Sequence, residues 1–262
     1  NYKLQSQKSF KVPFIFLNAV SLPEIPAVVN SGVSLATQNI LDDEIDEFDG
    51  EFAPLVADPL SGYNRFMTNV NDALYRLIFK HIFVTYDALM PNIAQTGIEN
   101  FFTNLKFPVR FVNNIFQAKF SYASDEIKAF VLNTTIGLGG FIDIAGKKGI
   151  KIHKEDFGQT LGHWGVGSGF HIVWPLVGHS NLRDSIGLGV DYFFTPSAYG
   201  DKIWAKKPMH DGFISFSLNS LAVVNKSAKD PYLYENLTKG VLDLYPFLRD
   251  AYEQRRRAQI KE

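Results

Sequence analysis

The sequence predicts an all-α fold, a single domain of many amphipathic helices. Three observations predict it. Apolar residues recur at i, i+3, i+4 and i+7 over long stretches, the period of a helix with one apolar face. Asp58-Pro59, Asn181 and Asp230-Pro231 stand where helix starts are expected, with an Asx cap and, in two cases, proline at the first helical position. Strand alternation is scarce, and only residues 170–174 read as a short strand, ended by Pro175.

Taken in order, residues 1–53 read as an N-terminal extension. Lys3, Lys8 and Lys11 precede or enter the apolar run 12–17, the pattern of a secretory leader. Residues 42–51 follow as an acidic, solvated linker. The domain spans 54–257, with a short tail over 258–262. Its first helix starts at Asp58-Pro59 and carries the stripe Leu60, Tyr63, Met67, Val70, Leu74, Leu77 and Ile78. Pro91 and Pro108 punctuate the next segments. Ser124-Asp125 is placed as the cap of a helix running to about Ile136. Asn181 caps another through about Phe193, and Asp230-Pro231 opens a further one. Residues 245–259 close the chain as an Arg-rich amphipathic helix whose Arg255, Arg256 and Arg257 read as a solvated end.

Composition narrows the function classes. A net charge of −1 gives no general case for nucleic acid, and the absence of cysteine excludes disulfides, thiol catalysis and thiolate metal sites within these 262 residues. The 23 phenylalanines have two explanations, genome composition or anchoring in lipid, where aromatics mark the interface. No stretch reaches the roughly 20 apolar residues needed to span a bilayer as a helix. Residues 129–142 come nearest, but hold Asn133, Thr134, Thr135 and three glycines.

Residues 157–169 hold five glycines beside Phe157, His163 and Trp164. No Lys-Ser/Thr pair follows, so this is no phosphate loop. Val166 stands where a nucleophile elbow needs Gly. His163 is the best catalytic suspect, with Asp143, Asp156 or Asp184 to orient it and Ser168 or Ser180 to activate. The pattern favours a packed histidine instead. His163, His171 and His179 are eight apart, not the i, i+4 spacing of a helical zinc pair, and no metal or cofactor is expected. Polar pairs inside apolar helices, Asn69 and Asn71, Asn113 and Asn114, and Asn133 with Thr134 and Thr135, either satisfy neighbouring backbone or line a polar cavity. Gly137, Gly139 and Gly140 form either a turn or a hinge. Arg183-Asp184 reads as a helix-start ion pair, with a head-group contact as the alternative. Lys202, Lys206 and Lys207 face lipid phosphate, a carrier or water.

Five stretches in order resemble the MlaA/VacJ family of outer-membrane lipoproteins. They are residues 58–67 (D-P-L-S-G-Y-N-R-F-M), Val112-Asn113-Asn114, 130–145, Ser180 to Asp184, and 242–256, together with the glycine-rich run 157–169. The resemblance covers roughly residues 55–257. It implies helices arranged as a ring around an amphipathic channel, lying at the periplasmic side of the outer membrane. It further implies removal of mislocalised phospholipid from the outer leaflet, association with a porin trimer, and handover to a soluble periplasmic carrier. The positions that match the family and would shape or gate the channel are Asn69, Val70, Asn133, Thr134, Gly137, Gly139, Gly140, Phe157, Gly158, His163, Gly165 and Gly167. A non-enzyme is expected. The competing classes are a porin-bound structural adaptor and a lipid hydrolase using His163. Family members carry a lipidated Cys at the mature N-terminus. These residues hold none, which implies a Cys outside them or attachment through the body alone.

Overall fold

The computed structural model describes residues 58–199 and 213–262. The expected leader, the acidic linker and Lys202, Lys206 and Lys207 lie outside the described residues. The described chain is mainly helical, as predicted. Helix α1 (Ser61–Leu74) runs through a π-helical turn (Tyr75–Phe79) into α2 (Lys80–Leu89). Next come α3 (Asn92–Leu105), α4 (Phe107–Phe116), α5 (Phe120–Thr135) and the single turn α6 (Ile144–Lys147). Helix α7 (Phe157–His163) leads into a hairpin of β1 (His171–Trp174) and β2 (Gly178–Asn181). Helix α8 (Leu182–Phe194), a 3-10 turn (Pro196–Tyr199), α9 (Phe213–Ala228), α10 (Leu233–Thr238) and α11 (Leu244–Lys261) complete it.

Some starts differ from the expectation. Asp58 does not cap α1; its carboxylate accepts from the Asn64 amide and the Tyr245 hydroxyl, so a long-range contact outcompetes the local one. Helix α5 begins at Phe120 and runs straight through Ser124 and Asp125. Asp230 likewise sits ahead of α10, its carbonyl accepting from Leu233 N–H. Asn181 does cap α8, accepting from Asp184 N–H at 2.8 Å. Residues 170–174 do form a strand from His171, and β2 was not foreseen because Gly178-His179-Ser180-Asn181 has no apolar alternation.

The helices are turned inside out relative to a water-soluble protein. In α1 the buried residues are Asn64, Thr68 and Asn71, while Leu60, Tyr63 and Phe66 are exposed. Among the described residues, buried polar or charged side chains outnumber buried apolar ones about two to one. Meanwhile Leu77 (74% exposed), Leu89 (78%) and Ile93 (85%) stand outside. A buried polar interior with a large apolar exterior is the informative reversal, since scattered exposed leucines alone would say little. Among the described residues, Tyr75, Phe83, Ala228, Leu233, Tyr234 and Tyr252 form an apolar cluster where the π turn, α2, α9, α10 and α11 meet.

The hairpin shows how polar helices pack. Its strands pair antiparallel with His171 opposite Asn181 and Val173 opposite His179. The free edge of β1 is covered by α1. Asn64 Nδ2 donates to His171 C=O (3.0 Å) and its Oδ1 accepts from Val173 N–H (2.9 Å). Two turns on, Asn71 donates to Trp174 C=O (3.0 Å) and accepts from Leu176 N–H (2.9 Å). Each amide presents one donor and one acceptor, as a neighbouring strand would. Seven residues is close to two helical turns, so one amide reaches the β1 edge and the other the start of the hairpin turn.

Asn64→Leu strips partners from two backbone groups at once. At about 1–3 kcal/mol for each unsatisfied buried group, it is expected to cost roughly 2–6 kcal/mol. Thermal unfolding of detergent-held protein reads this as a clear drop in Tm, whereas Asn69→Leu, on the exposed side of the same helix, leaves Tm near the wild-type value.

Candidate functional site

The densest polar construction lies where α7, β2, α8 and α11 meet. Arg256, 2% exposed, donates from Nε and Nη2 to Asp184 (2.8 and 2.9 Å) and from Nη1 and Nη2 to Asp156 (both 2.8 Å). Asp184 also accepts from Arg183 Nε (3.0 Å) and the Tyr252 hydroxyl (2.8 Å). Burial pushes the Asp184 carboxyl up, but Arg256 and Arg183 together hold it below the usual range. Asp156 caps α7 through Gln159 N–H. Two glycines allow the crossing. A Cβ on Gly187 would stand 2.5 Å from Gly158 N, and one on Gly158 would stand 2.5 Å from Asp184 Oδ1. A cavity of about 20 Å³, the order of one water molecule, lies here between Asp156, His179, Ser180, Asp191, Tyr252 and Arg256.

Arg255 to Arg257 therefore do not form a solvated end, since Arg255 and Arg256 are buried. The spacing Tyr245, Tyr252, Arg256 puts these residues on one face of α11, and that face is the inward one. The Arg183–Asp184 pair is likewise buried rather than exposed.

A histidine relay stands beside this knot. His171 Nδ1 lies 3.1 Å from Glu253 Oε1, and His171 Nε2 lies 3.0 Å from His179 Nδ1. Among the described residues, the buried His179 Nε2 has no hydrogen-bond partner. Burial, then His171 and Arg249, press the His179 pKa well below its ordinary value. Histidines eight apart meet because they bracket the hairpin turn. Among the described residues, no three ligand-type side chains gather as a metal would need.

Further networks fill the helices between. Arg110 Nε donates to Glu126 (2.7 Å), whose other oxygen accepts from His153 N–H (2.6 Å). Glu155 accepts from Gln117, Lys119 and Gln159. Asp191 accepts from Asn113 Nδ2 and Phe157 N–H, and burial followed by the nearby Asp156 charge pushes it up to about 7. Lys106, between α3 and α4, is exposed, and desolvation by the surrounding protein, then the Arg110 charge, lowers its pKa. Lys226 on α9 is driven down to about 7 by burial, then by Lys106 and Lys154.

The residues expected to shape a channel fall in three places. Asn69 is exposed and Val70 half-buried on α1. Asn133, Thr134, Gly137, Gly139 and Gly140 form the end of α5 and its following turn. There Asn133 donates to Asp143 and accepts from Ala145 N–H, and Asn104 donates to Thr134 (2.9 Å). A Cβ on Gly137 would stand 2.2 Å from Ile142 C=O, while Gly139 and Gly140 hold φ of 72° and 102°. Phe157, half-buried, and Gly158, buried, open α7; His163, its last residue, and Gly165 and Gly167 beyond it are exposed. His163 packs edge-on to Trp164, and among the described residues no hydrogen bond joins it to Ser168, Ser180, Asp143, Asp156 or Asp184. Asn64, Glu126, Asp191, Gly187 and Glu253 escaped sequence reading. A helical wheel centred on polar residues, instead of apolar ones, would have found Asn64, Thr68 and Asn71.

Comparison with known proteins gives one consistent answer. A family profile described as MlaA lipoprotein matches residues 56–259. An Escherichia coli (strain K12) protein named intermembrane phospholipid transport system lipoprotein MlaA is 33% identical over 203 residues, 76% of each chain. An uncharacterized protein of Rickettsia bellii is 30% identical over 208 residues, 79% of this chain and 78% of that one. A solved structure described as the structural basis for maintenance of bacterial outer membrane lipid asymmetry superposes with a TM-score of 0.66 at 30% identity, covering 78% of this chain and 99% of the other.

Two outcomes follow from the site's packing and charge. Gly187→Ala forces α7 and α8 apart and is expected to cost about 1–3 kcal/mol, read as a lowered Tm. Asp191 has a folded pKa above its unfolded one, so its contribution is full below the unfolded value of about 4 and is lost as pH rises toward 7. Asp191→Asn keeps the acceptor oxygen without the titration. The Tm of the variant relative to wild type is therefore expected to climb between about pH 4 and pH 7, measured in parallel melts.

Proposed function

The chain belongs to the MlaA lipoprotein family, and from that premise we propose that it removes mislocalised phospholipid from the outer leaflet of the outer membrane and delivers it toward the periplasm. The relatives' role in phospholipid transport supports the transport class. The observation that carries the reading for this chain is the reversed amphipathicity, an apolar exterior around a polar, charged interior. No described helix is long and apolar enough to cross a membrane. Short helices with apolar outer faces suit a body lying in one leaflet, as monotopic amphipathic helices do. Polar groups drawn away from lipid then need protein partners, and among the described residues the interior networks supply most of them, with Asn114 Oδ1 and His179 Nε2 left over.

A phospholipid crossing such a body needs a polar route for its head group and apolar walls for its tails. We assign the lining of the route to the open members of the predicted set, Asn69, Thr134, Gly139, His163, Gly165 and Gly167. The buried or half-buried members, Val70, Asn133, Gly137, Gly140, Phe157 and Gly158, frame it. A ring around the route, a porin trimer that holds the ring in place and a soluble periplasmic carrier that accepts the lipid complete the proposal. Direction comes from the carrier, because transfer down a gradient of lipid affinity needs no reaction in this chain. The role is that of a transport component, not an enzyme.

A strain lacking the gene is expected to expose more phospholipid at the cell surface, and restoring the gene to reverse it. Restoration with Asn69→Leu plus Thr134→Leu is expected to reverse it only partly at equal protein level. No rise in surface phospholipid, with the outer membrane otherwise intact, would sink the transport reading.

A further inference from the structure

We infer that the turn joining α5 to α6, with the lysines that follow it, is a docking surface for anionic phospholipid head groups. Its apolar part is a knuckle. Ile136 (58% exposed) and Leu138 (70%) project from it, and the half-exposed Phe141 stacks on Phe101 at its side. The knuckle is stiff: Gly139 N–H bonds to Thr134 C=O (3.0 Å), Ile142 N–H to Gly137 C=O (2.9 Å), and Asn100 donates to Phe141 C=O (3.1 Å). Leu138 holds φ of 54°, a strained conformation for a bulky residue, and the turn imposes it while keeping the side chain outside.

Immediately beyond, Lys147, Lys148 and Lys151 are exposed, and among the described residues none of their ammonium groups has a hydrogen-bond or ion-pair partner. The nearby carboxylates are committed elsewhere. Asp143 turns inward to Asn133 and Gly146 N–H, Glu155 is held by Gln117, Lys119 and Gln159, Asp156 by Arg256, and Asp125 by Lys128. The lysines and the knuckle are fixed to each other, since α6 is pinned to α5 through Asn133 and Ala145 N–H. An apolar knuckle with uncompensated lysines at its margin fits a leaflet bearing negative phosphates: the apolar side chains enter the acyl boundary and the long lysine stems reach the head groups. An acidic protein would match the lysines but leave Leu138 and Ile136 in water. The surface would also set the depth and tilt at which the body sits. It rests on the leaflet part of the functional reading and is independent of the lipid route.

The full chain, held in neutral detergent micelles at low salt, is titrated with phosphatidylglycerol or phosphatidylcholine doped into the micelles. Apparent affinity is read from the thermal shift. The wild type is expected to favour phosphatidylglycerol roughly 10- to 100-fold, shrinking as salt rises. The triple variant K147Q/K148Q/K151Q, with an unchanged Tm in plain micelles, is expected to lose most of that preference and keep its phosphatidylcholine response. Leu138→Ser is expected to weaken the response to both lipids. No anionic preference in the wild type, or full preference in the triple variant, overturns the proposal; the latter would leave the lysines to a protein partner or to water. Neither result depends on surface phospholipid in cells, so the transport reading can fail while this one stands, and the reverse.

Discussion

The described structure depends most on Arg256. Its guanidinium joins Asp156 at the start of α7 to Asp184 at the start of α8, so one side chain from α11 fixes the relative position of three helices. A buried ion pair is often no better for stability than well-packed apolar residues, because desolvation offsets the attraction. What it supplies is geometry, since a planar fork with five donors accepts few arrangements. Here both carboxylates also cap or begin helices, so their charges meet the positive helix ends as well as the arginine. Tyr252 and Asn181 extend the knot to the hairpin through Asp184 and Glu253.

That arrangement follows from the apolar exterior. A water-soluble domain gains specificity from shape in an apolar core. When the apolar faces point outward, the interior is left with amides, carboxylates and guanidinium groups, and their hydrogen bonds must select one structure. The design is stringent, because a half-satisfied network is worse than none. Asn64 shows the stringency at one position: its amide touches Asp58, Tyr245 and both polar groups of the β1 edge. The small aromatic cluster around Tyr75 and Tyr234, with ring centroids 4.5 Å apart, is the exception that anchors α9 and α10 in the ordinary way.

Much of the helical fold was legible because period and caps are local signals. Asn181 and the strand after Phe170 were read correctly for that reason. Asp58 was misread because a tertiary contact outcompetes its capping chemistry, Ser124 because the helix continues past it, and Asp230 because a turn intervenes before α10. The orientation of the helices was not legible from period alone, since a stripe looks the same whether it faces core or lipid. Arg256 was read as solvent-facing because a charged run at a chain end normally is; its place on the Tyr245–Tyr252 face was the contrary signal. The motifs behind the family resemblance turn out to hold much of the polar interior: Asp58, Asn64, Asn113, Asn133, Asp184, Tyr252 and Arg256 all take part in it. Asp191 and Glu126 carried no such signal, since a lone acid on an apolar helix usually points to water.

The glycines bear on how such a body holds its shape. Gly137, Gly158 and Gly187 each occupy a place where a single added carbon would collide with backbone or with a committed carboxylate. Their lack of a side chain is used for close approach, which rigidifies the frame. Gly165 and Gly167, by contrast, have nothing within reach of a Cβ. Gly62, Gly139, Gly149, Gly189 and Gly240 are equally open, so the close glycines fix the frame where helices and turns cross while the open ones lie at separate places along the chain.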